Sequence, residues 1–328
     1  MKRIGIGLAI LLTIVMVIPA IITLFASKEP EVSLPEIPSP SQLENQISIS
    51  VYRTEGKRVE TYPIEEYIVG VLSAEMPADF ELEALKAQAM AARTYIVRRL
   101  ANKEFKDVPE GAQVTDTVQH QVFMDDQQRR AAWGQEYAWK IQRIRQAVVE
   151  TQAKVLTFDG KPIDATFFST SNGFTENSEE YWAQKIPYLR SVEVPWDKAS
   201  PRYEGEKEFS LQDVEKMLGV KIAITAAAPN AWYQILERTT GNRVGKVKVG
   251  EKTFTGREIR EKMNLPSSSF TWEMKNGKLL VRTFGYGHGV GMSQWGAHGM
   301  AQSGKTATDI VTYFYQGIAI EDYHQWIQ

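Results

Sequence analysis

The residue in this sequence best suited to acid chemistry is Glu75. Ile68, Val71 and Leu72 recur at the spacing of a buried helix face, and Glu75 occupies the next position on that face. Pro77 forces the helix to end just before it, so Glu75 lies where a buried face meets a helix C-terminus. Burial and the negative end of the helix dipole both disfavour a charged carboxylate. The pattern predicts a carboxylic acid protonated near neutral pH, which is what a general acid in glycoside cleavage requires; a salt-bridged or solvated glutamate is the alternative.

A second stretch with chemical potential is the run FFSTSNG at residues 167–173. An apolar pair is followed by hydroxyl side chains, including Ser169 and Thr170, and by an Asn-Gly turn. Small donors and acceptors of this kind can bind the hydroxyl groups of a sugar. A polar turn that follows a strand without binding anything is the alternative interpretation.

The third stretch is FGYGHGVGMSQWGA at residues 284–297, in which glycine recurs at alternate positions. Such spacing gives up side-chain packing and conformational entropy, and a fold accepts that mainly where backbone or ligand approaches closely. Neither the Rossmann glycine pattern nor the Walker lysine pattern is present, so this is not a phosphate loop. The Tyr, His, Gln and Trp side chains suit a carbohydrate, while a purely structural glycine turn remains the other possibility.

Composition excludes several other functions. The 328 residues include 38 basic and 40 acidic side chains, giving a net charge of −2 with no basic stripe, which argues against nucleic-acid binding. Cysteine is absent, so disulfides, thiolate metal sites and cysteine nucleophiles are excluded. The four histidines form no short-spaced pair, and the Gly-x-Ser-x-Gly elbow is missing. We predict neither a metal nor another cofactor.

The N-terminus predicts a membrane anchor. Lys2 and Arg3 precede an uncharged apolar run that is long enough to span a bilayer, so residues 1–27 are predicted to form a cytoplasmic tip and one transmembrane helix. The positive-inside rule then places the rest of the chain outside the cytoplasm. Residues 28–46, rich in proline, read as an extended stalk. A cleavable signal peptide is the alternative for the apolar run.

The remaining chain predicts an α+β fold, with long helices packed with antiparallel β-hairpins, because helical and strand patterns occupy separate blocks. We expect a catalytic region with a helical core at residues 47–200 and an α+β region at 201–328 that completes a cleft with the glycine-rich segment. Helices are predicted at 63–75, 79–103 with Asp79 as N-cap, 127–153, 210–219, 255–264 and 306–317. Strands are predicted at 47–52, 155–158, 163–168, 232–238, 244–249, 270–274 and 278–283, and residues 106–126 are predicted to form a loop.

Four motifs in order make the chain resemble the stage II sporulation protein D family, membrane-anchored peptidoglycan lytic transglycosylases of endospore-forming bacteria. They are AEMP at 74–77, KAQA with ARTY at 86–95, FSTSNG at 168–173 and GHGVGMSQWG at 287–296. The last is shared with a wider group that includes amidase-enhancer proteins. The resemblance covers residue 47 to the C-terminus.

The resemblance implies cleavage of glycan strands from which the stem peptides have been removed. Glu75 would protonate the glycosidic oxygen between N-acetylmuramic acid and N-acetylglucosamine, and the muramic 6-hydroxyl would then attack the anomeric carbon and leave a 1,6-anhydro end. Arg93 matches a family arginine and is expected to bind substrate or shape the site. The other residues expected to bind substrate are Tyr95, Ser169, Thr170, His288, Ser293 and Gln294.

The resemblance also implies partners and a place of action. The expected partners are the glycan strand, the membrane, and stage II sporulation proteins P and M, at the septal or engulfing membrane during engulfment. A glycan-binding enhancer of a cell-wall amidase is the rival function, and a metal-dependent hydrolase is a third. Some relatives carry zinc ligands in the loop after the second helix, whereas residues 115–121 here, TDTVQHQ, lack cysteine. We therefore expect packing, or the Asp and Gln side chains, to hold that loop.

Overall fold

The fold is known from a computed structural model that describes residues 47–222 and 232–327. The predicted membrane helix and stalk, residues 1–46, lie outside the described residues. Within the two described ranges, no helix combines the length and apolarity needed to cross a bilayer. The α+β prediction is confirmed, since helices pack on several small, mostly antiparallel sheets.

The helices mostly begin where side chains cap them. Ser210, Thr255 and Thr306 each accept a hydrogen bond from the backbone of the third helical residue, and Asp125 does the same with Gln128. The helices are α1 Ile64–Glu75, α2 Leu82–Asn102, α3 Asp126–Trp133, α4 Tyr137–Glu150, α5 Ser178–Tyr181, α6 Leu211–Leu218, α7 Gly256–Lys262, α8 Gln294–Gln302 and α9 Ala307–Phe314.

The strands are β1 Ser48–Arg53, β2 Arg58–Pro63, β3 Val114–Thr115, β4 Lys154–Phe158, β5 Lys161–Pro162, β6 Phe167–Phe168, β7 Glu204–Ser210, β8 Tyr233–Arg238, β9 Val244–Val249, β10 Lys252–Thr255, β11 Phe270–Lys275, β12 Lys278–Phe284, β13 Met292–Ser293 and β14 Ala319–Asp322. They form five small sheets in the orders β2-β1-β3, β14-β4-β5, β13-β6, β11-β12-β7 and β10-β9-β8. The strands predicted at 270–274 and 278–283 are confirmed as the hairpin β11–β12, and Asn276 and Gly277 between them have the positive φ that a tight turn requires.

Helix α2 is the centre of the first hydrophobic core. It packs against α1, α4, α8, α9 and β4, and its buried residues fall on every side of the helix. A helix enclosed in this way needs small side chains at close contacts, and Ala84, Ala87, Ala89, Ala91 and Ala92 provide them. The first core therefore positions the C-terminal end of α1, which carries Glu75.

A second core lies within residues 209–281, between the β7-β12-β11 sheet, the β8-β9-β10 sheet and helices α6 and α7. After β12 the chain returns to the first core, where Val290, Met292, Ala297 and Phe314 are buried. The glycine-rich segment is thus the connection by which the chain passes from the second core back to the first.

Three predicted elements differ from the structure. The strand predicted over 163–168 is present only at Phe167–Phe168, which pairs with β13, and the residues that pair with β4 in the hairpin are Lys161–Pro162. Helix α2 begins at Leu82, with Glu81 rather than Asp79 at the N-cap position and no side-chain cap bond. The helix predicted over 127–153 is divided into α3 and α4 by a short 3₁₀ turn, Gly134–Glu136, where Gly134 has a φ of +51°. Glycine adopts this left-handed backbone at little cost, so one residue interrupts an otherwise continuous helical pattern.

Candidate functional site

A cleft of about 970 Å³ lies at the C-terminal end of α1. Its walls come from four parts of the chain: residues 73–80, the α3–α4 junction, the stretch around β6, and the glycine-rich segment, with Arg202 and Arg260 completing the lining. The structure therefore brings all three stretches singled out in the sequence to one surface. The predicted site residues that line this cleft are Glu75, Ser169, His288 and Gln294.

Glu75 is half-buried at the wall of the cleft. Its Oε1 accepts a hydrogen bond from the backbone N–H of Val122 at 3.1 Å. Its own backbone carbonyl accepts a hydrogen bond from Gln294 Nε2 at 2.9 Å, which joins the end of α1 to the start of α8. No Lys or Arg in the described ranges forms an ion pair with this carboxyl.

Burial raises the pKa of Glu75 above its ordinary value, and the hydrogen bond from Val122 opposes that shift only in part. The sequence predicted this direction from the buried helix face. A half-buried carboxyl with a raised pKa holds its proton at a higher pH than an exposed glutamate and still reaches solvent or a ligand. Glu75 thus has the electrostatic properties of a proton donor.

The glycine-rich segment pairs with the hydroxyl-bearing stretch. Strand β13 lies parallel to β6, and Thr170 and Tyr286 exchange two backbone hydrogen bonds at 2.7 and 3.1 Å. At Gly291 the φ is +82°, and a Cβ would lie 2.1 Å from the carbonyl oxygen of Thr166. Only glycine permits this approach. The structural explanation for the glycines is therefore correct at this position, and it places Gln294 beside the end of α1.

His288 is held as a neutral ring. Its Nε2 lies 3.0 Å from the carbonyl oxygen of Phe167, which can only accept, so Nε2 carries the proton. Its Nδ1 accepts the backbone N–H of Val290 at 3.1 Å. Burial, followed by the charges of Arg260 and Arg243, lowers the pKa of His288 to about 3. Neither ring nitrogen is available for proton transfer, and the ring contributes to the cleft as a surface.

Ser293 and Thr170 lie behind the cleft wall. Both are fully buried. The Ser293 hydroxyl donates to Asp197 Oδ2 at 2.7 Å and accepts from Gly296 N at the start of α8. The Thr170 hydroxyl is 2.9 Å from that of Ser200. These two residues hold the wall together, whereas Ser169, their neighbour in the sequence, faces the cleft.

Arg93 is not brought to the cleft. Its side chain is 0% exposed and forms a bidentate ion pair with Glu65, with Nη2 to Oε2 at 2.6 Å. It also donates to the carbonyls of Val148 and Lys154. The substrate-binding role is incompatible with this burial, and the site-shaping role remains. Tyr95 is half-buried, packs against the first core and does not line the cleft.

Sequence patterns indicated Tyr286 through the glycine-rich segment but missed Trp139, Arg202 and Arg260, which also line the cleft. Trp139 is 38% exposed and Tyr286 43% exposed, unusual values for large aromatic side chains in a folded protein. Arg202 stacks over the Tyr286 ring at 4.7 Å from its centroid. Arg260 belongs to α7, a helix of the second core, and nothing in its local sequence indicates a cleft. The available signal was the density of aromatic residues near Gly134, which the interpretation as one continuous helix concealed.

The loop between α2 and α3 is held by side chains, as expected from its sequence. Asp116 accepts from Arg53 Nε at 3.0 Å, and Gln121 Oε1 accepts from the Tyr67 hydroxyl at 3.0 Å. His120 Nε2 lies 3.2 Å from Asp107 Oδ2, and this contact connects two parts of the same loop. Across the part of the chain that the structure describes, no group of three or more His, Cys, Asp or Glu side chains could hold a metal ion.

Comparison with known proteins identifies the family of this chain. A protein-family model described as "Stage II sporulation protein" matches residues 52–158, which include the AEMP and ARTY motifs. The chain is 46% identical over 283 residues to stage II sporulation protein D of Bacillus amyloliquefaciens, covering 86% of this chain and 81% of that one. It is 47% identical over 276 residues to the protein of the same name from Bacillus subtilis (strain 168), covering 84% and 79%.

This chain therefore belongs to the stage II sporulation protein D family, as its four motifs indicated. A more distant similarity, 29% identity over 306 residues, connects it to a protein named amidase enhancer from Bacillus subtilis (strain 168). That match covers 77% of this chain and 40% of the longer relative.

Proposed function

We propose that this protein is a lytic transglycosylase that cleaves the bond between N-acetylmuramic acid and N-acetylglucosamine in denuded glycan strands. The observation that carries the proposal is Glu75: a half-buried carboxyl with a raised pKa, without an ion-pair partner among the described residues, in the wall of a cleft of about 970 Å³. Pockets of this size hold small molecules or several units of a chain ligand.

The reaction needs one carboxyl group. Glu75 transfers its proton to the glycosidic oxygen as the bond between that oxygen and the anomeric carbon breaks, which leaves a 4-hydroxyl on N-acetylglucosamine. The muramic 6-hydroxyl then bonds to the anomeric carbon and returns its proton to the Glu75 carboxylate. The product is a 1,6-anhydro end, no water is consumed, and the enzyme is regenerated. Because the nucleophile comes from the substrate, the second carboxylate of ordinary glycosidases is not required.

The cleft wall suits a sugar chain. The exposed faces of Trp139 and Tyr286 can pack against sugar rings, and the Ser169 hydroxyl and the Gln294 amide can hydrogen-bond to sugar hydroxyls. His288 adds a neutral ring to the same surface. Arg93 acts from the core, by fixing α1 and thereby the position of Glu75.

The setting of the proposed activity is the sporulation septum and the engulfing membrane. Residues 1–27 anchor the chain, residues 28–46 separate the catalytic region from the bilayer, and stage II sporulation proteins P and M are the partners. An amidase that removes stem peptides supplies the denuded strand. A second candidate function, a non-catalytic enhancer of a cell-wall amidase, is favoured by the relative that carries the name amidase enhancer.

The decisive experiment is mass spectrometry of the products from purified, peptide-free glycan. We expect anhydro-muramic ends from the wild-type protein, and we expect Glu75→Gln to reduce turnover by roughly 10²–10⁴-fold while glycan binding remains. Glu55→Gln, in the exposed turn after β1, is the matched control and should cleave normally. Reducing ends would indicate hydrolysis instead, and inhibition by a chelator would indicate a metal-dependent hydrolase. Binding without cleavage by the wild type would favour the enhancer.

A further inference from the structure

The cleft contains cationic side chains that its own carboxylates do not neutralise. Of the three basic residues in its lining, Lys140 is paired with Glu136 at 2.7 Å. Neither Arg202 nor Arg260 forms an ion pair with a carboxylate in the described ranges. Unpaired arginines in a cleft can form charge-assisted hydrogen bonds with an anionic group of a ligand.

Arg260 is the more constrained of the two. Its Nη1 donates to the Tyr181 hydroxyl at 2.8 Å, and its Nε is buried with no acceptor among the described residues. A guanidinium has five N–H donors, so a single hydrogen bond to a neutral hydroxyl leaves most of its donor capacity unused. An unsatisfied donor in a protein interior is costly unless a ligand completes it. The guanidinium of Arg260 can therefore donate further hydrogen bonds to a ligand.

The charged and titratable groups near Arg260 determine which ligand charge this part of the cleft favours. His288 is neutral, because its pKa is lowered to about 3, so it adds no positive charge of its own. Arg243, also nearby, is fully buried and lies 3.6 Å from Glu176. The Arg202 guanidinium carbon lies over the Tyr286 ring, 4.7 Å from its centroid, and both side chains line the cleft. The wall formed by Arg260, Arg202 and Tyr286 is therefore suited to an anionic group carried by a sugar ring.

We propose that Arg260, assisted by Arg202, forms a subsite for the free lactyl carboxylate of N-acetylmuramic acid. This inference rests on the proposed function and deepens it. The lactyl ether carries a carboxylate only after the stem peptide has been removed; before that, the same carbon belongs to a neutral amide. Arginine binds a planar carboxylate through two parallel N–H donors, which an amide cannot match. The subsite would make peptide removal a condition for tight binding.

The test compares glycans that differ in the lactyl group of N-acetylmuramic acid. Full-length Glu75→Gln protein binds the strand without cleaving it, and its affinity is measured for denuded glycan tetrasaccharide, for the methyl ester of that tetrasaccharide, and for the peptide-bearing strand. We expect the free acid to bind roughly tenfold or more tightly than the ester, because a hydrogen-bonded charge is lost on esterification. Chitotetraose, which has no lactyl group, should bind like the ester.

Variants of Arg260 test whether this residue causes the preference for the free acid. Adding Arg260→Gln should remove the preference for the free acid without changing the affinity for chitotetraose, and Arg260→Lys should retain part of the preference. Arg257→Gln is the matched control, because Arg257 lies one turn earlier on α7, also contacts Tyr181, pairs with Glu261 and does not line the cleft. Thermal unfolding of each variant verifies that it is folded.

Three outcomes would overturn the subsite. The first is equal binding of acid and ester by protein that retains Arg260. The second is an equal loss of affinity for acid, ester and chitotetraose on Arg260→Gln, which would indicate a general structural role. The third is tighter binding of the peptide-bearing strand, which would assign the arginines to peptide carboxylates. In each of these cases the protein that retains Arg260 still binds glycan, whereas no binding of any of the glycans by that protein would refute the proposed function itself.

Discussion

Two side chains in the cleft, Glu75 and His288, have pKa values displaced in opposite senses by the same cause. Burial disfavours the charged form of each, so it raises the pKa of Glu75 and lowers the pKa of His288 to about 3. Glu75 therefore keeps its proton to a higher pH than an exposed glutamate, and His288 is a neutral ring engaged at both nitrogens. The division of roles follows from local environment rather than from residue type, since histidine is the more usual acid–base residue.

This division predicts the pH dependence of cleavage. The protonated form of Glu75 is the active one, and its raised pKa keeps that form populated to a higher pH than an exposed glutamate would allow. Activity should therefore fall as pH rises through the pKa of Glu75, and kcat/KM measured between pH 4 and 9 reports that value. His288→Gln retains a donor toward the Phe167 carbonyl and should leave the position of this limb unchanged. A limb that moves or disappears in His288→Gln would mean that the histidine titrates in the mechanism.

At the scale of the elements, the Arg93–Glu65 pair joins α2 to α1. The pair is buried, and Arg93 also donates to carbonyls at the end of α4 and the start of β4. Removing one partner of such a pair leaves the other as an uncompensated buried charge, which costs about 3–5 kcal/mol. The position of Glu75, at the end of α1, depends on this connection.

Arg93→Ala should therefore lower the free energy of unfolding by about 3–5 kcal/mol, while Arg93→Ala with Glu65→Ala should cost less than the sum of the two single changes. Denaturant unfolding of the four proteins gives the coupling energy. Arg98→Ala, on the same helix and partly exposed, is the control and should cost far less. If Arg93 bound substrate directly, its replacement would raise KM in a protein of normal stability, and that result would contradict its placement in the core.

Several elements could be predicted from the sequence, and the failures have physical causes. Hairpins at Asp159-Gly160 and Asn276-Gly277 and caps at Ser210, Thr255 and Thr306 depend on local chemistry, so the sequence indicates them directly. Glu75, the proposed proton donor, could be predicted because the apolar face of its helix is followed by a proline in the sequence.

The positions of Arg93 and Arg260 could not be predicted from local sequence patterns, because they depend on packing between segments that are distant in the sequence. Arg93 lies one position past the apolar stripe of α2, and on an ordinary surface helix that position would face outward. Because α2 is enclosed on all sides, the residue is buried, and its partner Glu65 is 28 positions away in the sequence. Arg260 likewise reaches the cleft only because the second core lies beside it.

At the scale of the whole molecule, buried charged groups connect the second core to the glycine-rich segment. Glu176 is 1% exposed, accepts from the Thr239 hydroxyl at 2.9 Å and lies 3.6 Å from Arg243. Its backbone N–H donates to the carbonyl of Gly289 at 2.7 Å. Arg243 donates to Ser267 on the side of the second core. The cleft wall is thus fixed through a junction whose charges depend on pH.

The protonation of Glu176 makes the stability of this junction pH-dependent. Burial, with a smaller contribution from Glu180, raises the pKa of Glu176 to about 7 against the opposing charge of Arg243. The folded protein therefore binds more protons than the unfolded chain between the ordinary glutamate pKa and about 7. Stability from this group is complete below the ordinary value and is lost as pH rises toward 7. An ion pair in the structure thus weakens the fold as it becomes fully charged, because desolvation outweighs attraction.

The comparison of wild type with Glu176→Gln isolates this effect, because the other titrating groups are common to both proteins. The free energy of unfolding of the wild type, relative to the variant, should be larger at pH 5 than at pH 8 by about 2–3 kcal/mol. Glu237→Gln, which removes an exposed carboxylate paired with Lys246, should show no such change. A difference that stays constant with pH would mean that Glu176 is ionised in the folded state throughout. In that case the Arg243 attraction, rather than burial, would control the junction, and acid rather than alkaline conditions would loosen the wall that carries His288.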